Sequence, residues 1–137
     1  MLEWMRPTLS GAKGSANFAG ASLVKARLDG ADFLASRRNV RAMVKLGFES
    51  AKLDGASLKG ARLGRCYMEF ASLKGADLTG ADLTGADLAG ANLSGADIKG
   101  AEFAGVDLDS AHVGGILNAG EAKNFDKVIN LDRAFKD

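Results

Sequence analysis

The chain has 137 residues, of which 47% are hydrophobic and 26% charged, with a formal net charge of +1; that balance belongs to one folded domain and excludes a globally charged or disordered chain. No apolar run approaches the roughly 20 residues needed to cross a bilayer, and the opening MLEWMRPTLSGAKGSANF lacks the continuous apolar stretch of a secretion signal, so a cytoplasmic protein without membrane attachment is expected. A single cysteine, Cys66, excludes an internal disulfide, and 18 glycines beside 7% aromatics argue against a core built on large side chains.

From the N-terminus, Leu2, Trp4 and Met5 form a small apolar group that is read as a cap on the first end of the domain. A five-residue unit then begins. Its centre is a large apolar residue (Phe18, Leu23, Leu28, Phe33), and two positions earlier stands a small one (Ala16, Ala21, Ala26, Ala31). The period decides the backbone. An α-helix turns about 100° per residue, so a step of five rotates each centre by a net ~140° and no buried stripe forms. On extended chain, side chains alternate, so the alanine and the centre share one side and the residue between them faces the other way. The last two residues of the unit, commonly ending in glycine, then carry the chain round a corner. A chain that turns the same way every five residues winds into a coil, and successive turns pair as parallel strands about 4.8 Å apart. The expected fold is therefore an all-β solenoid with the centres inside, and residues 16–35 are its first coil.

The stretch Ser36–Lys45, SRRNVRAMVK, breaks the pattern. Continued phase would set Arg38 at a centre, and an unpaired charge among apolar side chains is too costly. Residues 36–46 are expected to leave the coil as a short inserted helix or loop. Ser36 would be its N-cap, Val40, Met43 and Val44 its apolar face, and Gly47 would come after its end. Arg37, Arg38, Arg41 and Lys45 then form either a basic patch for an acidic partner or the solvated side of a loop.

The unit resumes at Phe48, and every fifth residue to Val113 is again a centre, giving main coils over residues 47–115. Burial of each centre contributes roughly 1.5–3 kcal/mol, most of it offset by chain ordering. The motif A-(D/N)-L-x-G, present as ADLTG, ADLAG and ANLSG, resembles that of the pentapeptide-repeat proteins, and the resemblance covers about residues 16–115. It implies four units per coil, a right-handed quadrilateral parallel β-helix, and about three and a half coils over residues 46–115. Inside this run Cys66-Tyr67-Met68-Glu69-Phe70 keeps the phase but changes the residues. Cys66 takes the small inward position as an apolar residue. Tyr67 falls on an outward position and Phe70 on a corner; exposed aromatics of this kind mark a contact site unless Val40 and Val44 cover them.

Beyond Gly115 the five-residue phase ends. Phe125, Val128, Ile129, Leu131 and Phe135 form an apolar set compatible with helix. An open β-helix end needs covering, so residues 116–137 are expected to be a C-terminal helical cap. A homodimer contact is a second use for the same segment, as the resemblance allows.

Charge is patterned although its sum is small. Residues 1–74 balance at +7, residues 75–111 at −6, and the rest at zero. With twenty residues per coil, Asp77 stacks on Asp97, Asp82 on Glu102 and Asp87 on Asp107, while Asn92 stacks on His112. These outward acids either bond to nearby backbone in their own turns or present an acidic surface to a partner. Enzyme chemistry finds no support: the single His112 has no companion histidine or cysteine for zinc, no phosphate-binding glycine loop occurs, and the carboxylates are repetitive and alike. No cofactor is expected. The expected role is a non-enzymatic protein-interaction or scaffolding module, a structural subunit or assembly factor of a larger complex whose partner is unidentified. The candidate contact residues are Arg37, Arg38, Arg41, Lys45, Tyr67, Phe70, Asp77, Asp82, Asp87, Asp97, Glu102 and Asp107. The resemblance supplies an alternative, a DNA mimic that modulates a type II topoisomerase through the acidic coils. Direct nucleic-acid binding is disfavoured for want of aromatic stacking platforms.

Overall fold

A computed structural model describes residues 8–12, 17–33 and 47–136. Its outward residues pair in four parallel columns. Face 1 carries Asn17, Gly47, Tyr67, Asp87, Asp107 and Ile129; face 2 carries Ser22, Lys52, Ser72, Asn92, His112 and Phe135. Face 3 carries Thr8, Arg27, Ser57, Asp77, Asp97 and Leu117; face 4 carries Asp32, Arg62, Asp82, Glu102 and Lys123. Through the main coils each residue pairs with the one twenty positions on, four units of five, so the solenoid is four-sided. Between the first and second coils the offset is thirty, as in Asp32 with Arg62, ten more than in the main coils. The inserted helix expected there, with Val40 and Val44, lies outside the described residues, as do Leu2, Trp4 and Met5.

The unit works as its period requires. At Leu83 the backbone N–H donates forward to Glu102 O at 3.0 Å, and Glu102 N–H donates back to Ala81 O at 2.9 Å. Each corner is closed by the next alanine donating to the preceding centre, as Ala81 N to Leu78 O at 3.0 Å. The residue before that alanine has positive φ, +68° at Gly80, which meets the requirement of a type II turn. Five corners use Lys25, Ser50, Arg65, Phe70 or Ser110 in place of glycine, with φ from 55° to 61°.

Inside, alanine and leucine alternate around a sealed column. From Phe48 to Ala111 every inward side chain is at most 1% exposed, and Cys66 is among them. The aromatics gather towards the ends. Phe18, Phe33 and Phe48 meet at centroid distances of 5.1 to 6.1 Å near the N-terminal end, and Phe103 meets Phe125 at 5.4 Å near the other. The ladder also starts before residue 16: Leu9 N donates to Arg27 O at 2.7 Å and Gly11 N to Asp29 O at 2.8 Å.

The C-terminal segment departs from the expected helical cap. It continues the coil with a unit of six. Leu117, Lys123, Ile129 and Phe135 extend faces 3, 4, 1 and 2 in turn. Ile116, Ala122, Val128 and Ala134 precede them and pack against the core, together with Ala119, Phe125 and Leu131. The sixth residue is an inserted asparagine in the left-handed region, Asn118 at φ 62°, Asn124 at 54° and Asn130 at 62°. Each begins a three-residue 3-10 turn: Ala119–Glu121, Phe125–Lys127 and Leu131–Arg133. Asparagine tolerates this backbone conformation better than most residues. No helix among the described residues is long and apolar enough to cross a membrane.

Candidate interaction surface

The candidate residues do not form one site. Asp77 and Asp97 lie on face 3, Asp82 and Glu102 on face 4, and Tyr67, Asp87 and Asp107 on face 1, with Phe70 at the corner between faces 1 and 2. Arg37, Arg38, Arg41 and Lys45 lie outside the described residues. The three acid pairs stack directly, each acid opposite another one coil away. Like charges opposed across parallel strands are mildly destabilising, so something must offset them.

Two local devices do. Each of the six stacked acids accepts a hydrogen bond from the backbone N–H two residues on, as Thr79 N to Asp77 Oδ1 at 3.0 Å, Ala89 N to Asp87 Oδ1 at 3.0 Å, and Ala104 N to Glu102 Oε1 at 2.9 Å. This satisfies a corner amide and fixes the carboxylate's direction. In the last coil the inserted asparagines donate across to the acid below. Asn118 Nδ2 reaches Asp97 at 2.8 Å, Asn124 reaches Glu102 at 2.9 Å, and Asn130 reaches Asp107 at 2.9 Å. Exposed ion pairs add little each: Lys59 with Asp77 at 3.5 Å, Lys99 with Glu121 at 3.5 Å and Arg133 with Asp109 at 3.2 Å. Sequence reasoning missed the asparagine clasps, although Asn118, Asn124 and Asn130 recur every six residues.

The clasps act on ionisation. The Asn118 side chain, then the Lys99 backbone N–H, hold the Asp97 carboxyl below its ordinary 3.8. Asn124, then the Ala104 backbone N–H, hold Glu102 below its ordinary 4.5. A depressed carboxylate pKa stabilises the fold above the unfolded value, and that contribution is lost as pH falls through the folded value. Asn118→Gly keeps a residue suited to positive φ but removes the clasp. It should move the Asp97 titration, monitored by carboxyl NMR, back up towards the ordinary value; an unmoved titration would show that the clasp does not hold in solution.

Apolar side chains are also exposed. Phe70 is 70% exposed and Tyr67 36%, and the last coil shows Leu117, Ile129 and Phe135 at 50–52%. The His112 ring stacks on Phe135 with centroids 4.9 Å apart.

Together, the twenty-residue register, the A-(D/N)-L-x-G motif and the alanine–leucine interior define a five-residue-repeat β-helix. The pentapeptide repeat model matches residues 15–34, 51–88 and 76–115 in 8 copies, well over half of the chain. The chain belongs to the pentapeptide repeat family, whose fold is the right-handed quadrilateral β-helix. Solved structures similar to it include Rfr23, a pentapeptide repeat protein from the cyanobacterium Cyanothece 51142, at 21% identity and TM-score 0.40, covering 96% of this chain and 88% of that one. A pentapeptide repeat protein of the Arabidopsis thaliana thylakoid lumen is 30% identical with TM-score 0.38, covering 73% of this chain and 67% of the other. HetL, involved in heterocyst differentiation regulation in Nostoc sp. strain PCC 7120, is 24% identical with TM-score 0.26, over 95% of this chain and 70% of its own. A search of curated proteins found no match.

Proposed function

We infer that the chain is a non-enzymatic interaction module, a structural subunit or assembly factor that offers flat charged faces of fixed spacing to a protein partner. What supports this most is the immobilisation of the outward side chains. The ladder sets their spacing and the backbone N–H bonds to Asp77, Asp82, Asp87, Asp97, Glu102 and Asp107 set their direction. Side chains already ordered lose little entropy on binding. The carboxylates are near-equivalent from coil to coil, whereas acid–base catalysis needs a pair in contrasting environments.

The test is an affinity pull-down from the native host at low and moderate salt. One partner, released by salt and lost on combined Asp82→Asn and Glu102→Gln substitution, is the expected outcome. Recovery of the chain alone would replace this reading with self-association through the last coil, where Leu117, Ile129 and Phe135 are exposed. Turnover of a specific small molecule would sink it.

A DNA-mimic action on a type II topoisomerase draws on the stacked acid pairs. Against it, Asn118, Asn124 and Asn130 bond three of the six carboxylates, Lys123 stands opposite Glu102 in the ladder, and Arg133 pairs with Asp109. A mimic needs dense unneutralised charge along its length. Unchanged gyrase supercoiling with the chain in excess would exclude this reading.

A further inference from the structure

Along face 3 the charge changes sign from one end of the rod to the other. Arg27 stands in coil 1, Ser57 in coil 2, Asp77 in coil 3 and Asp97 in coil 4. The corner shared with face 2 carries Asp54 in coil 2 and Lys74 in coil 3; the corner shared with face 4 carries Asp29 in coil 1 and Lys99 in coil 4. Of the eight positive-φ residues that turn these two corners in coils 1 to 4, seven are glycine and the other is Lys25, so a flat body can approach closely. The bonds that fix the strip's acids all go to one oxygen. Asp29 Oδ1 accepts from the Ser57 hydroxyl and the Lys59 backbone N–H, Asp54 Oδ1 from the Ser72 hydroxyl and the Lys74 backbone N–H, and Asp97 Oδ1 from Asn118 and the Lys99 backbone N–H. Oδ2 takes no part in these bonds, and all three carboxylates are only half-buried.

We propose that face 3 is the contact of an antiparallel, two-fold homodimer. A second copy turned end over end about a line between coils 2 and 3 presents the same strip in reverse order. Coil 1 then meets coil 4, coil 2 meets coil 3, and each corner meets its own counterpart. Arg27 falls opposite Asp97 of the second copy, Asp29 opposite Lys99 and Asp54 opposite Lys74, and symmetry makes each pair twice. Lys99 exchanges its exposed pair with Glu121, at 3.5 Å, for Asp29 of the other chain. Other arrangements oppose like charges. Parallel rods would set Arg27, Asp77 and Asp97 each against its own copy. A shift of one coil would set Lys25 against Lys74 in one direction and Lys59 against Lys99 in the other. At the ends of the strip Leu117, 52% exposed, would lie over the Thr8 strand. Exposed pairs contribute little singly, but a matched set fixes orientation and register. The acids of faces 1 and 4 stay open to a different partner, so the proposal goes beyond the interaction reading.

Sedimentation equilibrium of the full chain over a concentration series, at low and high salt, tests it. The wild type should dimerise, and less so at high salt. Arg27→Asp sets two acids against Asp97 and should raise the dimer dissociation constant by about tenfold; Asp97→Arg should do the same. An equimolar mixture of the two variants should recover wild-type dimerisation, because a mixed pair restores opposite charges at both contacts. Lys127→Asp makes the same change of charge at the corner between faces 4 and 1, and should stay within about twofold of wild type. Asp97→Arg also loses the Asn118 clasp, so a thermal melt checks its fold; should it melt early, Arg27→Asp read against Lys127→Asp still decides. A wild type that stays monomeric at low salt overturns the proposal. So does a dimer that Arg27→Asp leaves intact, whose contact must lie elsewhere, as at the exposed last coil. An equal loss in Lys127→Asp, which reports net charge alone, or a mixture of well-folded variants that does not recover, overturns it too. None of these outcomes touches the reading of a different partner, which the Asp82→Asn and Glu102→Gln capture on face 4 tests separately.

Discussion

Leu83→Ala should lower the unfolding free energy by about 2–5 kcal/mol, the usual cost of truncating a sealed leucine. Leu83 is 0% exposed and is the centre on face 4, between the equally sealed Leu63 and Phe103 one coil away on either side. The cavity cannot collapse easily, because the backbone on each side is fixed by ladder bonds of 2.7 to 3.1 Å. Against a total stability of roughly 5–15 kcal/mol for a domain this size, that is a large share. Urea unfolding reads it as a lower midpoint at unchanged slope. A loss below about 1 kcal/mol would contradict a close-packed interior. A fallen slope would mean that the coils on the two sides of Leu83 unfold separately, as a nearest-neighbour array permits.

The fold was legible because the five-residue period has only one good burial solution. Alanine and leucine two apart point the same way on extended chain, and the register of twenty came once four units per coil was taken from the family. The stacking of Asp77 on Asp97, Asp82 on Glu102 and Asp87 on Asp107 came directly from that register and is what the ladder shows. The C-terminal segment was misread for a specific reason. Phe125, Val128, Ile129, Leu131 and Phe135 are spaced by three, one, two and four residues, which suits a helix face as well as anything else. The decisive signal was the asparagine recurring every six positions. A six-residue step turns an α-helix by a net ~240°, so it cannot form a stripe there; on a coil it is the old unit lengthened by one residue in the left-handed region.

The candidate surface was less legible, because a repeat reveals which residues point outward but not which faces share a sign. The register already divided Asp77 to Asp107 into three stacks on three faces. It left out Glu49, Glu69 and Asp109, which occupy corner positions beside face 1. The exposure of Phe70 came from phase alone. Its contact with Gly90 did not, since that requires knowing that a corner side chain lies over the corner below.

That contact yields the second large effect. Gly90→Ala places a Cβ 2.5 Å from Phe70 Cδ1 and Cε1 at φ +68°. Gly95→Ala meets the same backbone strain at φ +72°, but its nearest neighbour is Gly75 N at 3.8 Å. The left-handed conformation costs each alanine about 1–2 kcal/mol. Gly90→Ala must also push the ring aside, adding about 1–3 kcal/mol of overpacking. The double variant Phe70→Gly with Gly90→Ala should therefore be less destabilised than Gly90→Ala alone and fall back to the cost of Gly95→Ala. The difference is a coupling energy between positions 70 and 90 that the four urea curves of the cycle measure. A coupling within about 0.5 kcal/mol of zero, the margin seen for independent sites, would mean that the ring swings off the corner freely.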